Sequence, residues 1–263
     1  MKLFWKYRIL FFFLLVFFAS CNDNALNNNK HELLIKSTKI SLVSKTEKIN
    51  LLNKSKPIVI TSYMEQSLID IGLVEIHTID STIVVDLKYS SCDNFLGFDV
   101  YGEFNKCYLQ PDVANKLKKS QTFLKLIFPY YNIIVFDAVR PRSIQYKMWD
   151  TINIPKSERT KYLSNPEYGS LHNFGAAVDV SIIDENGIEL DMGTKYDFFG
   201  ELAYPREEWR MLKEGKLFQN QLLNRELLRN VMKSGGFSGI TTEWWHFNSC
   251  NRKQAYAKYK IIE

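Results

Sequence analysis

The sequence predicts an α+β fold, one domain in which a mixed or antiparallel sheet is flanked by helices. Three observations predict it. Several short runs alternate apolar and polar residues with period two, as half-buried strands do. Longer stretches repeat apolar residues every three or four positions, as amphipathic helices do. The two kinds of run are mixed, without the regular strand–helix–strand alternation of a parallel sheet. In chain order, Val74-Glu75-Ile76-His77-Thr78-Ile79 alternates as a strand, and Thr82 to Leu87 reads as its partner. Asp112 to Phe128 reads as a helix with Val113, Leu117, Leu124 and Phe128 on one face; Pro111 precedes it, where its missing amide proton is not needed. Asn132 to Phe136 is a buried strand, and Pro141 opens a helix carrying Ile144 and Met148 four residues apart. Ala176 to Ile183 is a strand with Val178, Val180 and Ile182 facing inward. Asn220 to Lys233 is a helix stopped by Gly235-Gly236, and Ile240 to Phe247 is a final strand.

The first sixty residues lack this patterning. Lys2, Lys6 and Arg8 precede an unbroken apolar run from Ile9 to Phe18, and Ala19-Ser20-Cys21 follows. The run is too short to span a bilayer comfortably and ends on small residues, as a secretory signal does. A cysteine directly after the small pair resembles the bacterial lipobox, in which Cys21 becomes the lipidated N-terminus; Phe18 stands where an aliphatic residue is usual. The alternative is an uncleaved anchor. Either way the expected location is the bacterial cell envelope, outside the cytoplasm and on a membrane. Residues 21–61 are rich in Asn, Lys and Ser, with short apolar patches such as Leu33-Leu34-Ile35, and read as a flexible tether in which His31 is solvated. The globular domain then runs over 62–263, one domain by size.

The 46% hydrophobic and 24% charged content of the 263 residues is that of an ordinary globular protein. The formal net charge is +5, but three of those charges lie within residues 1–20, leaving +2 for the rest. That balance gives no reason to expect a nucleic-acid partner. Cys92, Cys107 and Cys250 have no metal-site spacing. An oxidising compartment would let two of them pair, Cys92 and Cys107 being nearest in sequence.

Two stretches carry chemistry: Gly169-Ser170-Leu171-His172-Asn173-Phe174-Gly175-Ala176-Ala177-Val178-Asp179, and Glu243-Trp244-Trp245-His246. They hold two of the four histidines and two carboxylates. With Val178 and Val180 facing the core, Asp179 faces the other side of its strand, where a carboxylate needs a charged partner or an open cleft. Gly175 lets the chain turn sharply so that His172 can converge on Asp179, and folding must bring in His246. Two imidazoles and a carboxylate, an open fourth position and a further carboxylate form the inventory of a catalytic zinc site with one ion per chain. A lone histidine is more often exposed or hydrogen-bonded, and His77, with no acidic motif around it, keeps that reading. Glu243 stands three residues before His246. In a strict strand the two would face opposite sides, so a shared site demands a bulge or a turn. Trp244 and Trp245 are expected to wall the cleft and keep Glu243 poorly hydrated, raising its pKa as suits a base that later acts as an acid.

The pattern Ser-x-His-x-x-Gly-x-Ala-x-Asp, followed by Glu-x-x-His, resembles the zinc D-Ala-D-Ala peptidase family of the bacterial wall. Three further stretches resemble its dipeptidase branch (VanX type): Asp86-Leu87-Lys88-Tyr89-Ser90-Ser91 with Asn94-Phe95-Leu96-Gly97 and Tyr101-Gly102; Asp137-Ala138-Val139-Arg140-Pro141; and Met192-Gly193-Thr194-Lys195-Tyr196-Asp197. Ser90-Ser91 stands where Ala-Thr is usual, and Ala138-Val139 where Gly-Tyr is usual. The resemblance spans about 76–247 and implies the zinc-peptidase (Hedgehog/DD-peptidase-like) fold. It implies that His172, Asp179 and His246 bind Zn²⁺ and that Glu243 is the catalytic base. Arg140 would stabilise the oxyanion, Asp197 would hold the substrate's ammonium, and Ser170 would help shape the pocket. The implied substrate is the D-Ala-D-Ala dipeptide. The rivals are a D,D-carboxypeptidase or endopeptidase on peptidoglycan stem peptides, and a non-catalytic lipoprotein that binds wall fragments. The intact Glu243 argues against the last, since a binder needs no base.

Overall fold

A computed structural model describes residues 62–263; the signal and tether readings, with Cys21 and His31, lie outside the described residues. Along the chain run α1 (Tyr63–Asp70), β1 (Val74–Glu75), β2 (Val84–Val85), β3 (Tyr108–Leu109), α2 (Pro111–Ile127), β4 (Asn132–Asp137), α3 (Arg142–Thr151), β5 (Ala177–Ile183), α4 (Glu208–Lys213), α5 (Gln219–Ser234), β6 (Ser238–Gly239), β7 (His246–Asn248) and α6 (Arg252–Lys258). The fold is α+β. Its main sheet has the order β2-β4-β5-β7-β6, and β1 pairs with β3 in a second, two-stranded sheet. Only the β2–β4 pair of the main sheet is parallel. No helix among the described residues is long and apolar enough to cross a membrane.

Strand β5 is central, and all seven of its residues are buried. Val178, Val180 and Ile182 join one continuous core with Leu117 and Leu124 of α2 and Leu228 and Val231 of α5. Each such side chain contributes about 1.5–3 kcal/mol by leaving water. Helices α2 and α5 approach so closely that a Cβ on Gly235 would collide with Ser120 Oγ and the Lys116 carbonyl. The glycine that ends α5 is therefore also required for packing.

The strand registers position everything that follows. Val135 stands opposite Val180, but a bulge skips Phe136, so Asp137 faces Asp179 across β4–β5. Across β5–β7, Asp179 faces His246. Directly opposed residues share a face of the sheet with Cβ atoms about 4.5–5.5 Å apart. Three adjacent strands therefore present Asp137, Asp179 and His246 in one row.

Several expectations are corrected. The strand expected over 74–79 ends at Glu75 because the Glu75 carboxylate accepts from the His77 amide, 3.1 Å, and starts a 3₁₀ turn over Ile76–Thr78. His77 thus lies on a turn, with Nε2 2.9 Å from the Ile83 carbonyl oxygen. Thr82 to Leu87 does not pair with that strand; its Val84–Val85 core joins β4 in parallel. Phe128, placed on the inner face of α2, caps the helix instead, 37% exposed and stacked on Tyr131. Of the strand expected over 240–247 only the end forms, as β7 from His246; residues 240–245 are a bent connection from β6 (Ser238–Gly239), which pairs with β7. Cys92, Cys107 and Cys250 are all free thiols, Cys107 fully buried and Cys92 exposed.

Candidate metal centre

His172 enters from a single 3₁₀ turn, Leu171–Phe174, braced at both ends. At its start the Ser170 amide donates to Asn173 Oδ1 (2.6 Å), and Asn173 Nδ2 donates to the Arg140 carbonyl (2.7 Å). At its end Gly175 adopts the left-handed conformation, φ +61°, which glycine reaches without strain. A Cβ there would crowd Leu73 at 3.2 Å. The turn leads directly into β5 and delivers His172 beside Asp179, the convergence that the glycine and the strand alternation implied.

The ligand-capable atoms of His172, Asp179 and His246 all lie within 4.8 Å of one another. His172 Nδ1 is 2.7 Å from the Ala138 carbonyl oxygen, which can only accept, so Nδ1 carries the proton and Nε2 offers its lone pair. His246 Nε2 donates to Asn248 Oδ1 at 2.9 Å, which leaves Nδ1 free in the same way. The two free nitrogens are 3.2 Å apart, and Asp179 Oδ1 is 3.4 Å from the first and 2.9 Å from the second. The other carboxylate oxygen of Asp179 accepts from the Tyr196 hydroxyl, 3.0 Å. This donor set fits a tetrahedral divalent cation: two neutral imidazoles of fixed tautomer, one anionic oxygen and an open side. Burial opposes ionisation of Asp179, but the adjacent His172 and His246 outweigh it and hold its carboxyl far below the usual range. Burial likewise opposes protonation of His246, yet Asp179 pushes its pKa up to about 9 while no cation is bound; a bound cation would displace that proton from Nδ1 and leave the imidazole neutral.

Glu243 lies in the bend that precedes β7, not within a strand. That resolves the three-residue spacing: its Oε2 reaches to 4.0 Å from His246 Nδ1. Withdrawal from water raises its pKa above the ordinary glutamate value. Trp245 lines the cleft beside it. Trp244 does not; it is buried behind, donating from Nε1 to Thr194 Oγ1 at 2.8 Å.

Arg140, 5% exposed, projects into the cleft from the loop after β4. Its guanidinium pairs with Asp137, with Nε at 2.9 Å, and lies over the Tyr89 ring at 5.0 Å. Nη2 is 3.9 Å from Asp179 Oδ2. Asp137 is fully buried, is also bound by the Tyr101 hydroxyl (2.6 Å), and stands 3.6 Å from His172 Nδ1. This carboxylate steadies the arginine and lies next to, but is not hydrogen-bonded to, the His172 ring. Ser170 lines the same cleft and donates to Gln145 Oε1 at 3.1 Å.

Asp197 reaches the cleft from the 192–202 loop, which a buried Arg225 on α5 pins through the Met192 carbonyl (2.7 Å) and the Leu202 carbonyl (2.9 Å). Asp197 has φ +60°, a left-handed backbone that costs a non-glycine residue on the order of 1–3 kcal/mol. Its carboxylate accepts from the Tyr89 hydroxyl, 3.2 Å to each oxygen. Burial and then the nearby charge of Asp179 push its pKa well above the usual value. A half-buried acid in this state is stabilised by any cation that enters the cleft.

The structure thus brings all seven residues singled out in the sequence, Ser170, His172, Asp179, Glu243, His246, Arg140 and Asp197, to one cleft. It adds partners that sequence reasoning missed: Asp137, Tyr101, Tyr196, Asn248 and Tyr89. Asp137 carried a signal, being an acid at the end of an otherwise apolar buried strand. Tyr89, Tyr101 and Tyr196 stood within the family-like stretches without an assigned role, and Asn248 carried no signal.

The model of the peptidase M15 family, described as D-ala-D-ala dipeptidase, matches residues 70–261. The chain belongs to this family. It is an enzyme of the metallopeptidase class, and its family supports dipeptide hydrolysis. It is 31% identical over 175 residues to the D-alanyl-D-alanine dipeptidase of Escherichia coli (strain K12), covering 66% of this chain and 83% of the relative. It is 26% identical over 193 residues to that of Enterococcus faecium, covering 68% and 91%. It is 28% identical over 176 residues to that of Synechocystis sp., covering 56% and 71%.

Proposed function

We propose that this protein hydrolyses the D-Ala-D-Ala dipeptide to free D-alanine, with one Zn²⁺ held by His172, Asp179 and His246. The observation that carries this reading is the convergence of two tautomer-locked imidazoles and one carboxylate beside an unligated Glu243. Zn²⁺ bound there would polarise the scissile carbonyl and lower the pKa of a water toward about 7. Glu243 takes the proton of the attacking water and returns it to the departing amine, a dual role favoured by its raised pKa. Arg140, already fixed by Asp137, faces the carbonyl oxygen as negative charge develops on it; a comparable oxyanion donor is worth about 10²–10³ in rate. Asp197 pairs with the substrate's free ammonium. Because that pairing needs a free amino terminus next to the scissile bond, it favours the dipeptide over longer chains.

The test is metal analysis with a hydrolysis assay on free D-Ala-D-Ala and on a longer peptide ending in D-Ala-D-Ala. Stoichiometric zinc and preferential cleavage of the dipeptide are expected. Preference for the longer peptide would instead favour a carboxypeptidase or endopeptidase. A second expectation concerns Asn248, whose oxygen sets the His246 tautomer. Asn248→Leu should weaken zinc binding about 10–100-fold in a chelator competition, as loss of a ligand's supporting hydrogen bond typically does. The same reading places the enzyme in the bacterial envelope on a lipid carried by Cys21, a proposal supported by the residues around that cysteine.

A further inference from the structure

The cleft around His172, Asp179 and His246 is small, about 60 Å³. Beside it lies a groove of about 450 Å³ that shares Ser164, Ser170 and His246 with it. Asp197 lines the cleft but not the groove, and Arg252 lines the groove but not the cleft. Apart from Arg252 and the shared His246, the groove walls are uncharged, with Ser238, Asn248 and Asn251 among them.

Arg252, the first residue of α6, is held at a fixed place by two neutral partners. Nη2 donates to the Gly169 carbonyl at 2.9 Å and Nη1 to the Tyr168 carbonyl at 3.3 Å. Among the described residues no carboxylate comes within ion-pair distance of it. The guanidinium is therefore steadied without being neutralised. The cleft carries an acid, Asp197, the groove an uncompensated cation, Arg252, and the wall they share includes His246 of the metal-ligand set. A zwitterionic dipeptide carries the matching charges, an ammonium on one side of its scissile bond and a carboxylate on the other. With the ammonium at Asp197, the residue that leaves on hydrolysis extends toward the groove.

We propose that this groove receives the C-terminal residue of the substrate and that Arg252 holds its carboxylate. The proposal rests on the dipeptidase reading and adds the end of the substrate that the reading leaves unassigned. It also gives a reason for the Arg252 contacts to Tyr168 and Gly169: they fix the cation in the groove wall against the residue before Ser170, which cleft and groove share.

Steady-state kinetics of the zinc-loaded full chain on D-Ala-D-Ala and on D-alanyl-D-alaninamide test it. Arg252→Gln keeps amide donors for the two carbonyls and removes the charge; Arg252→Lys keeps the charge. Arg252→Gln should raise KM for the free acid about tenfold, the lower end of what a charge-assisted hydrogen bond is worth. It should leave kcat and the KM for the amide within about twofold, and Arg252→Lys should restore most of the loss. Equal losses on acid and amide would make Arg252 a structural staple and overturn the proposal, as would no loss on either. If the unsubstituted enzyme cleaved neither compound, the dipeptidase reading would fall and this subsite with it. Cleavage that is indifferent to the Arg252 charge would remove the subsite alone.

Discussion

Replacing Glu243 by Gln is expected to lower kcat on D-Ala-D-Ala by about 10²–10⁴, the usual contribution of a positioned general base, while zinc content stays at the unsubstituted level. Both halves follow from position. Oε2 lies 4.0 Å from His246 Nδ1, close to the metal-ligand set without belonging to it. The carboxylate makes no hydrogen bond to another described residue, so an amide of the same shape leaves no orphaned partner. Stability should change little. What changes is basicity: a carboxylate whose pKa is raised by its surroundings can hold a proton between water and leaving amine, and an amide cannot. KM should move less than kcat, since the lost interaction is made in the transition state. Unchanged hydrolysis by Glu243→Gln enzyme would refute the assignment of the base. Loss of zinc together with activity would mean that Glu243 is a ligand.

That the candidate base and the candidate ligand set could be read before the fold has a physical reason. His172 and Asp179 are close in sequence, and two local rules connect them: a glycine at positive φ and the period-two alternation of a strand. Both rules hold in the structure, with Gly175 at φ +61° and Asp179 on the opposite face from Val178. The same alternation misled at Glu243 and His246. An apolar, aromatic run reads as one strand over 240–247, but β7 begins only at His246, and the bend before it turns Glu243 back toward the cleft. Strand partners were the weakest part. Alternation shows which face a residue takes but not which strand lies beside it. The 82–87 run was therefore matched with its sequence neighbour, whereas its core pairs with β4.

The supporting shell was hidden for a related reason. Tyr89 and Asp197 are 108 residues apart and meet only through the loop that Arg225 pins. Asn248 sits two residues past His246, where β7 alternation returns it to the same face and within 2.9 Å of the ring. Asp137 reaches the row of Asp179 and His246 only because a bulge skips Phe136. Local rules thus brought His172 to Asp179, the family-like motifs singled out His246, Glu243, Arg140 and Asp197 as candidates, and the tertiary registers supplied the groups that orient them. The bulge carries a consequence for the site. Without it Phe136 would stand opposite Asp179, and Arg140 and Tyr101 would lose the buried carboxylate that both now contact.

The largest effect on the metal is expected from His172→Ala, which should lose zinc and turnover together. His172 is 2% exposed and contributes the Nε2 lone pair, fixed by the Nδ1 proton held on the Ala138 carbonyl. Alanine removes both and leaves Asp179 with His246 as the only remaining members of the set. Two protein ligands do not make a catalytic zinc site, which uses three. Truncating a buried ring also leaves a void, so lower stability alone would not distinguish a ligand from a packing residue. Zinc-dependent stability does distinguish them. A ligand that binds only the folded state adds about 2.7 kcal/mol at a concentration one hundred times its Kd, so the unsubstituted protein should melt higher in excess zinc than in chelator. His172→Ala should melt at the same temperature in both. Asn248→Leu should lie between them, reaching the unsubstituted shift at higher zinc, because it disturbs the orientation of one ligand without removing it. A zinc-dependent shift of undiminished size in His172→Ala would remove His172 from the ligand set, and with it the convergence on which the dipeptidase mechanism rests.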